Sequence, residues 1–281
     1  MINFDGEFFS DDAVYLNAKN SVFAHGDGLL EVIRVVNGTF FFWEDHYLRL
    51  MASMRVLRME IPMSFTLEFL KEEIAKTIRE SGLTHQAVLA RVYVFPKYIK
   101  GLENAERLVS YLIEVEEGSS PFYLHQDQPY EADLYKDFYI QPGMLSTLPL
   151  VNSVLKNVGR VYALENGYED CILLNDQKNV VQTLQGNLFL VAEDRIKTPP
   201  LSDGCENSVL RKKVMELIRK SNEFTLEEAS ISPFELQKAD ELFISDIAIG
   251  IRSVTRYRRT DYKTVVAKNI LGKLNALARL N

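Results

Sequence analysis

The chain has 281 residues, 47% of them hydrophobic and 25% charged, with a net charge of −7 and a pI near 5.3. That balance is globular, long enough for one large domain or two smaller ones, and its acidity argues against a nucleic-acid partner. No apolar run reaches the roughly 18 residues of a membrane span, the first residues lack the basic and apolar regions of a leader, and two cysteines outside any CxxC pattern suit a reducing compartment, so a cytoplasmic location is expected.

In chain order, residues 3–9 are expected to form a hairpin turning at Asp5-Gly6. Residues 20–28 read as irregular and end in His25-Gly26-Asp27-Gly28. Asn37-Gly38, between two apolar runs, is a strong hairpin signal. Helical spacing marks 43–59, through Tyr47, Leu50, Met51, Met54 and Leu57, and then 66–81, closed by Gly82. Strands follow at 88–95 and 108–115. Gly118-Ser119-Ser120-Pro121 breaks the pattern, so an N-terminal α/β domain is expected over 1–118, a linker over 119–130 and a C-terminal α/β domain over 131–281.

In the second half, Lys156 opens a helix whose apolar side is carried by Val158, Val161, Tyr162 and Leu164, with Gly167 as its stop. Strands are expected at 171–174, 180–183, 188–192, 241–245 and 248–254. Helices are expected from about Glu206 to Ser221 and over 264–280. Strand and helix runs mix without regular βαβ units, so the fold class is α+β rather than a doubly wound sheet. The short basic run Arg252, Arg256, Arg258, Arg259 reads as a solvated strand or turn.

Several residues carry chemistry. Lys156 stands among Val154, Leu155 and Val158. Such a lysine either lays its stem along apolar neighbours or, once buried, offers a neutral amine as nucleophile or base. Arg49 either pairs with Asp45 one helical turn away or clamps a phosphate through two parallel bonds. Gly186-Asn187 marks a tight connection, and Gly204-Cys205-Glu206 stands where a helix would begin, with free backbone N–H groups suited to an anion.

Taken in order, His25-Gly-Asp-Gly-Leu-Leu-Glu31, Arg49, Leu155-Lys156, Gly167-Tyr-Glu-Asp170, Gly186-Asn187-Leu-Phe189 and Gly204 resemble the class IV pyridoxal-phosphate aminotransferases. That family includes branched-chain and D-amino-acid aminotransferases and aminodeoxychorismate lyase. The resemblance covers nearly the whole chain. It implies a two-domain fold of the D-amino-acid aminotransferase type (fold type IV), a pyridoxal 5'-phosphate cofactor, a homodimer, and an amino-acid or keto-acid substrate, with no metal. It makes Lys156 the residue that forms the Schiff base with the cofactor aldehyde and then moves a proton. Arg49 and the backbone N–H groups of Cys205 and Glu206 become the phosphate ligands, with Gln182 and Asn187 beside the cofactor. Leu30, Arg91 and Tyr93 become substrate contacts, the last two for a carboxylate.

The chain also departs from the family. Gln182 stands where a glutamate usually pairs with the protonated pyridine nitrogen, and a neutral amide weakens the ring as an electron sink. Glu206 replaces a threonine or other neutral residue beside the phosphate, and Asp246 falls in the loop expected on the phosphate's other side; carboxylates there oppose a phosphate. Leu30 replaces an aromatic, and Pro96-Lys97-Tyr98 lacks the arginine of D-amino-acid enzymes, which argues against D-amino-acid transamination. The expected activity is branched-chain-type transamination. The alternatives are an aminodeoxychorismate lyase, which releases pyruvate to give 4-aminobenzoate, and a non-catalytic dimer that keeps the fold. An unrelated Ser or Cys hydrolase is disfavoured, because there is no GxSxG elbow and all four histidines lie in the first half.

Overall fold

The structure, a computed structural model, describes residues 1–13, 20–97 and 108–280; Tyr98 lies outside them. The chain forms two compact units, Met1–Pro121 with Pro149–Asn152, and Phe122–Leu148 with Ser153–Leu280.

The first unit has strands β1 (Ile2–Phe4), β2 (Glu7–Phe9), β3 (Leu29–Val36), β4 (Thr39–Phe40), β5 (Ala87–Pro96) and β6 (Val109–Glu117), and helices α1 (Ser21–His25), α2 (Trp43–Val56) and α3 (Leu67–Glu80). The strands make one antiparallel sheet in the order β2-β1-β6-β5-β3-β4. Asn37 and Gly38 both take positive φ, as the tight β3–β4 turn requires. Thr66 caps α3 by accepting the Phe69 N–H. The expected extension of α2 to residue 59 fails because Arg58 turns left-handed. The stretch read as irregular contains α1, capped by Asn20 and closed by a left-handed Gly26.

Strand alternation sorts the sheet's two faces. Leu29, Ile33 and Val35 of β3, Val88, Ala90, Val92 and Val94 of β5 and Ile113 of β6 form the core under Leu50, Met51 and Met54 of α2 and Leu70, Ile74 and Ile78 of α3. Burying each of the Val, Leu, Ile and Met side chains among these stabilises by about 1.5–3 kcal/mol. Glu31 shares that inward parity. Leu30, Arg91, Tyr93, Glu114 and Glu116 have the opposite parity. Residues 149–152 join this unit through a Leu29–Leu150 bridge and a bond from the Val151 N–H to the Gly28 carbonyl (2.9 Å).

The second unit has β7 (Ala132–Ile140), β8 (Asp170–Asn175), β9 (Val180–Thr183), β10 (Asn187–Ala192), β11 (Arg195–Thr198), β12 (Thr225–Glu228), β13 (Glu241–Asp246), β14 (Gly250–Val254), β15 (Arg256–Tyr257) and β16 (Thr260–Asp261). Its helices are α4 (Val154–Asn166), α5 (Val209–Ser221), α6 (Pro233–Leu236) and α7 (Val265–Leu280). β7 runs parallel to β8 and β8 antiparallel to β9; a five-stranded sheet has the order β12-β11-β10-β13-β14, and β15 pairs with β16. The mixture of pairings gives an α+β fold.

Two expectations for this unit need correction. The helix expected from Glu206 begins at Val209, because the Ser208 hydroxyl accepts the Arg211 N–H and sets the start there. Gly204 instead closes a 3-10 turn, Leu201–Asp203, at φ +100°. A Cβ on Gly204 would come within 3.0 Å of Ile140 Cγ2 and 3.2 Å of Pro142 Cα, so both the backbone angle and the space require glycine. Most of the apolar side of α4 does not enter a core: Val154, Val158, Val161 and Leu164 are exposed, Tyr162 packs against the core, and the buried residues are Gly159 and Ala163. Gly159 allows close approach, since a Cβ there would meet Leu184 Cδ2 at 2.6 Å. Gly167 ends α4 in the left-handed conformation, as its position suggests.

Among the described residues, no helix is long and apolar enough to cross a membrane, and no group of three or more His, Cys, Asp or Glu is placed to hold a metal ion.

Candidate active site

The second unit gathers Lys156, Gln182, Asn187, Cys205 and Glu206 around one loop. Lys156 lies in the first turn of α4, and its Nζ donates to Glu206 Oε2 at 3.3 Å. The pair is half-buried, with 34% of the lysine and 25% of the glutamate side chain exposed. Glu206 sits between Gly204 and the Ser208 cap, and its backbone is held at both ends. Its N–H donates to Gln182 Oε1 at 2.8 Å, and its carbonyl accepts Asn187 Nδ2 at 2.8 Å. Asn187 Oδ1 in turn accepts the Ser208 hydroxyl at 2.6 Å. The neighbouring Asn207 N–H donates to the Thr147 carbonyl at 3.0 Å.

Gln182 and Asn187 reach this loop because β9 and β10 flank a turn at Gly186. A Cβ on Gly186 would collide with the Ser245 carbonyl oxygen and lie 3.0 Å from its carbon, so the turn lies against the end of β13. Asp246 is the last residue of that strand. Its Oδ1 accepts the Ala248 and Ile249 N–H groups at 3.0 and 3.3 Å. Burial pushes the Asp246 carboxyl above the usual aspartate range; the two backbone bonds oppose this, and the Glu206 carboxylate adds to it. The buried Cys205 Sγ donates to the Pro199 carbonyl at 3.3 Å, and burial pushes its thiol up to about 11. Burial likewise pushes the Cys171 thiol up to about 12, and neither sulfur is activated as a nucleophile.

The first unit holds the other candidates. Arg49 Nε donates to Glu31 Oε1 at 3.2 Å and Oε2 at 3.0 Å, and Nη2 donates to Oε1 at 2.9 Å. His46 Nδ1 meets the same Oε1. Glu31 and His46 are each only 1% exposed, and His46 Nε2 is buried without a hydrogen-bond partner among the described residues. His46 and Arg49 lie on one side of α2 at i,i+3, so a single inward-facing glutamate reaches both. Arg91 Nη2 donates to Glu116 at 2.7 Å, and the Tyr93 hydroxyl to Glu114 at 2.9 Å. The polar ends proposed for a substrate carboxylate are therefore engaged by the chain's own acids. Leu30 pairs in register with Tyr93 across β3 and β5. Sequence reasoning missed Glu31 as the shared partner of Arg49 and His46. The available signal was a glutamate in a strand's apolar stripe, which needs a buried partner.

Residues 28–257, more than half of the chain, match the family described as Amino-transferase class IV, and the chain belongs to that family. The matched stretch includes every candidate residue named above. A probable branched-chain-amino-acid aminotransferase from Aquifex aeolicus is 26% identical over 265 residues, covering 89% of this chain and 82% of the relative. A branched-chain aminotransferase structure from Thermoproteus uzoniensis superposes with a TM-score of 0.85 at 22% identity, covering 97% of this chain and 92% of the other. A putative 4-amino-4-deoxychorismate lyase from Legionella pneumophila gives 0.81 at 22% identity, covering 95% and 97%. The two structural likenesses establish the type IV fold.

The class depends in general on pyridoxal phosphate, and the residues of the second unit fit that group in part. An amine on a fixed helix, half-exposed and set against a loop held by Gln182 and Asn187, suits an aldehyde. At the phosphate end, one of the two expected backbone donors is already engaged. The Glu206 N–H expected to receive the phosphate is taken by Gln182, and the Glu206 carboxylate stands against Lys156.

Proposed function

We propose that the chain transfers an amino group between an amino acid and a keto acid, with Lys156 as the residue that holds the cofactor carbonyl and carries the proton. The observation that supports this most is the position of Lys156: the first turn of α4, amine turned to the Glu206 loop, in a chain whose family match spans 28–257. Pyridoxal phosphate supplies a carbonyl for the amine and a ring that takes up electron density. Lys156 Nζ would take and return the proton at the substrate's α-carbon. Gln182 would offer the ring nitrogen a neutral amide. Branched-chain amino acids are the favoured substrate class, on the relatives' names. We infer a homodimer as well, because Val154, Val158, Val161 and Leu164 form an exposed apolar stripe on the lysine helix itself. Two unpaired, buried cysteines suit a reducing compartment, and we place the protein in the cytoplasm.

The test is an absorbance spectrum with and without added pyridoxal phosphate, borohydride fixation mapped by mass spectrometry, and a screen of amino acids for keto-acid production. A mass increment on Lys156 and a keto acid from a branched-chain substrate are expected. Protein that takes up no cofactor removes the reading. Pyruvate released from aminodeoxychorismate without a second keto acid moves the assignment to the lyase.

A further inference from the structure

A glycine inside a helix costs stability relative to alanine. Gly159, inside α4 and one turn on from Lys156, is such a residue. What it admits is the Leu184 side chain: a Cβ at 159 would stand 2.6 Å from Leu184 Cδ2 and 3.5 Å from Cδ1. The Cys171 thiol also reaches the Gly159 carbonyl, at 3.7 Å. Leu184 has little room to retreat. It is buried in a cluster with Tyr135, Ala163, Cys171 and Leu173, and its N–H is shared between the Cys171 carbonyl and Asp170 Oδ1, both at 3.1 Å. Asp170 is itself buried and accepts the Tyr130 hydroxyl at 2.8 Å. By contrast, Val154, Val161 and Leu164, on the far side of α4, are exposed. An atom added at the contact therefore displaces the helix rather than Leu184.

The same stretch fixes the other half of the lysine site. Leu184 lies in the turn between β9 and β10, which Thr183 closes: its N–H donates to the Gly186 carbonyl at 2.9 Å, and its hydroxyl accepts the Gly186 N–H at 3.2 Å. Gln182 and Asn187, on either side of that turn, hold the Glu206 main chain. One short turn thus sets the place of Glu206 through hydrogen bonds and the place of α4 through a packing contact. We propose that Leu184 and Gly159 are positioning residues: their contact sets how closely α4 approaches the turn, and so brings Lys156 Nζ to 3.3 Å from Glu206 Oε2. Neither side chain carries a reactive group, and the pair acts through Lys156. Its bearing on amino-group transfer rests on the reading of Lys156 given above; the placement of the amine does not.

The full chain, cleared of carbonyl ligands with hydroxylamine and dialysed, is treated with a water-soluble carbodiimide. The reagent joins an amine and a carboxylate in contact into an amide and takes up the water as its urea. Peptide mass spectrometry measures the yield of the Lys156–Glu206 bond, independent of turnover. Wild type, Gly159→Ala, Leu184→Val and the double variant are compared; the double variant conserves the number of side-chain carbons at the contact. Gly159→Ala should lower the yield about fivefold or more, as misplacement of reacting groups does. Its melting temperature should stay near or above that of wild type, because alanine favours the helix. Leu184→Val, which opens the contact without adding to the helix, should lower the yield about twofold or more. The double variant should return to within about twofold of wild type, and that rescue separates positioning from general destabilisation. No bond in wild type, a Gly159→Ala yield equal to that of wild type, or a double variant no better than the single variants overturns the proposal. If Gly159→Ala does not fold, Leu184→Val and the double variant decide it. Single-turnover transamination rates should fall and recover in the same order. Bond yields that follow this order while none of the proteins takes up pyridoxal phosphate overturn the cofactor reading and leave the positioning standing.

Discussion

The molecule contains two ion pairs of the same chemical kind and opposite construction. In the first unit, Glu31 sits in the core stripe of β3, 1% exposed, with Arg49 and His46 both bonded to it. In the second, Lys156 and Glu206 share one 3.3 Å contact and are half-buried. A buried carboxylate with several donors cannot lose a partner cheaply, because the group left behind keeps its desolvation cost. A half-exposed pair exchanges its partner for water at little cost. The first cluster is fixed architecture, and the second can open to a ligand.

The largest effect that separates the two is on activity. Lys156→Ala is expected to lower the transamination rate by at least about 10²–10⁴-fold, the range associated with losing a positioned proton carrier, while the melting temperature stays near that of wild type. Single-turnover assays check this, and a variant that keeps wild-type rates would take Lys156 out of the chemistry. Next comes Glu31→Ala, which strands Arg49 and His46 in the core and should cost about 3–5 kcal/mol in urea unfolding. By contrast, Glu206→Gln should change unfolding stability by no more than about 1 kcal/mol; a loss as large as that of Glu31→Ala would erase the distinction between the clusters. The smallest effect is on pH dependence. Burial raises the Asp246 carboxyl, so the folded chain keeps this proton to higher pH than the unfolded chain does. Stability from this group is complete below the ordinary aspartate value of 3.8 and declines as pH rises through the raised value. Asp246→Asn should remove that part of the decline, which thermal melts across mildly acidic pH would reveal.

Much of this is legible in the amino-acid sequence. Asn37-Gly38 fixed a hairpin because few residues tolerate two consecutive positive φ angles. Thr66 and Gly82 bracketed α3, and Gly167 ended α4, through local capping chemistry. The ordered set of motifs brought Lys156, Gln182, Asn187 and Glu206 to notice. What could not be read was long-range. Arg91 and Tyr93 look like a carboxylate receptor until the β5–β6 register sets Glu114 opposite Arg91. Arg49 meets Glu31 only because α2 covers the inward face of β3. The start of α5 at Val209 rather than Glu206 depended on which of several polar residues would serve as cap, and Ser208 did. The stripe on α4 has the spacing of a core helix, and its exposure follows from the small residues, Gly159 and Ala163, being the ones turned inward.

The double hold on Glu206 has a consequence of another kind. Gln182 and Asn187 grip the main chain at position 206, one at the N–H and the other at the carbonyl, and neither grip depends on which side chain is present. The loop's course and the charge it displays are thus set by separate residues. A single codon change at 206 can switch what faces Lys156 from acidic to neutral without redrawing the loop, so the site is mechanically conservative and chemically easy to revise.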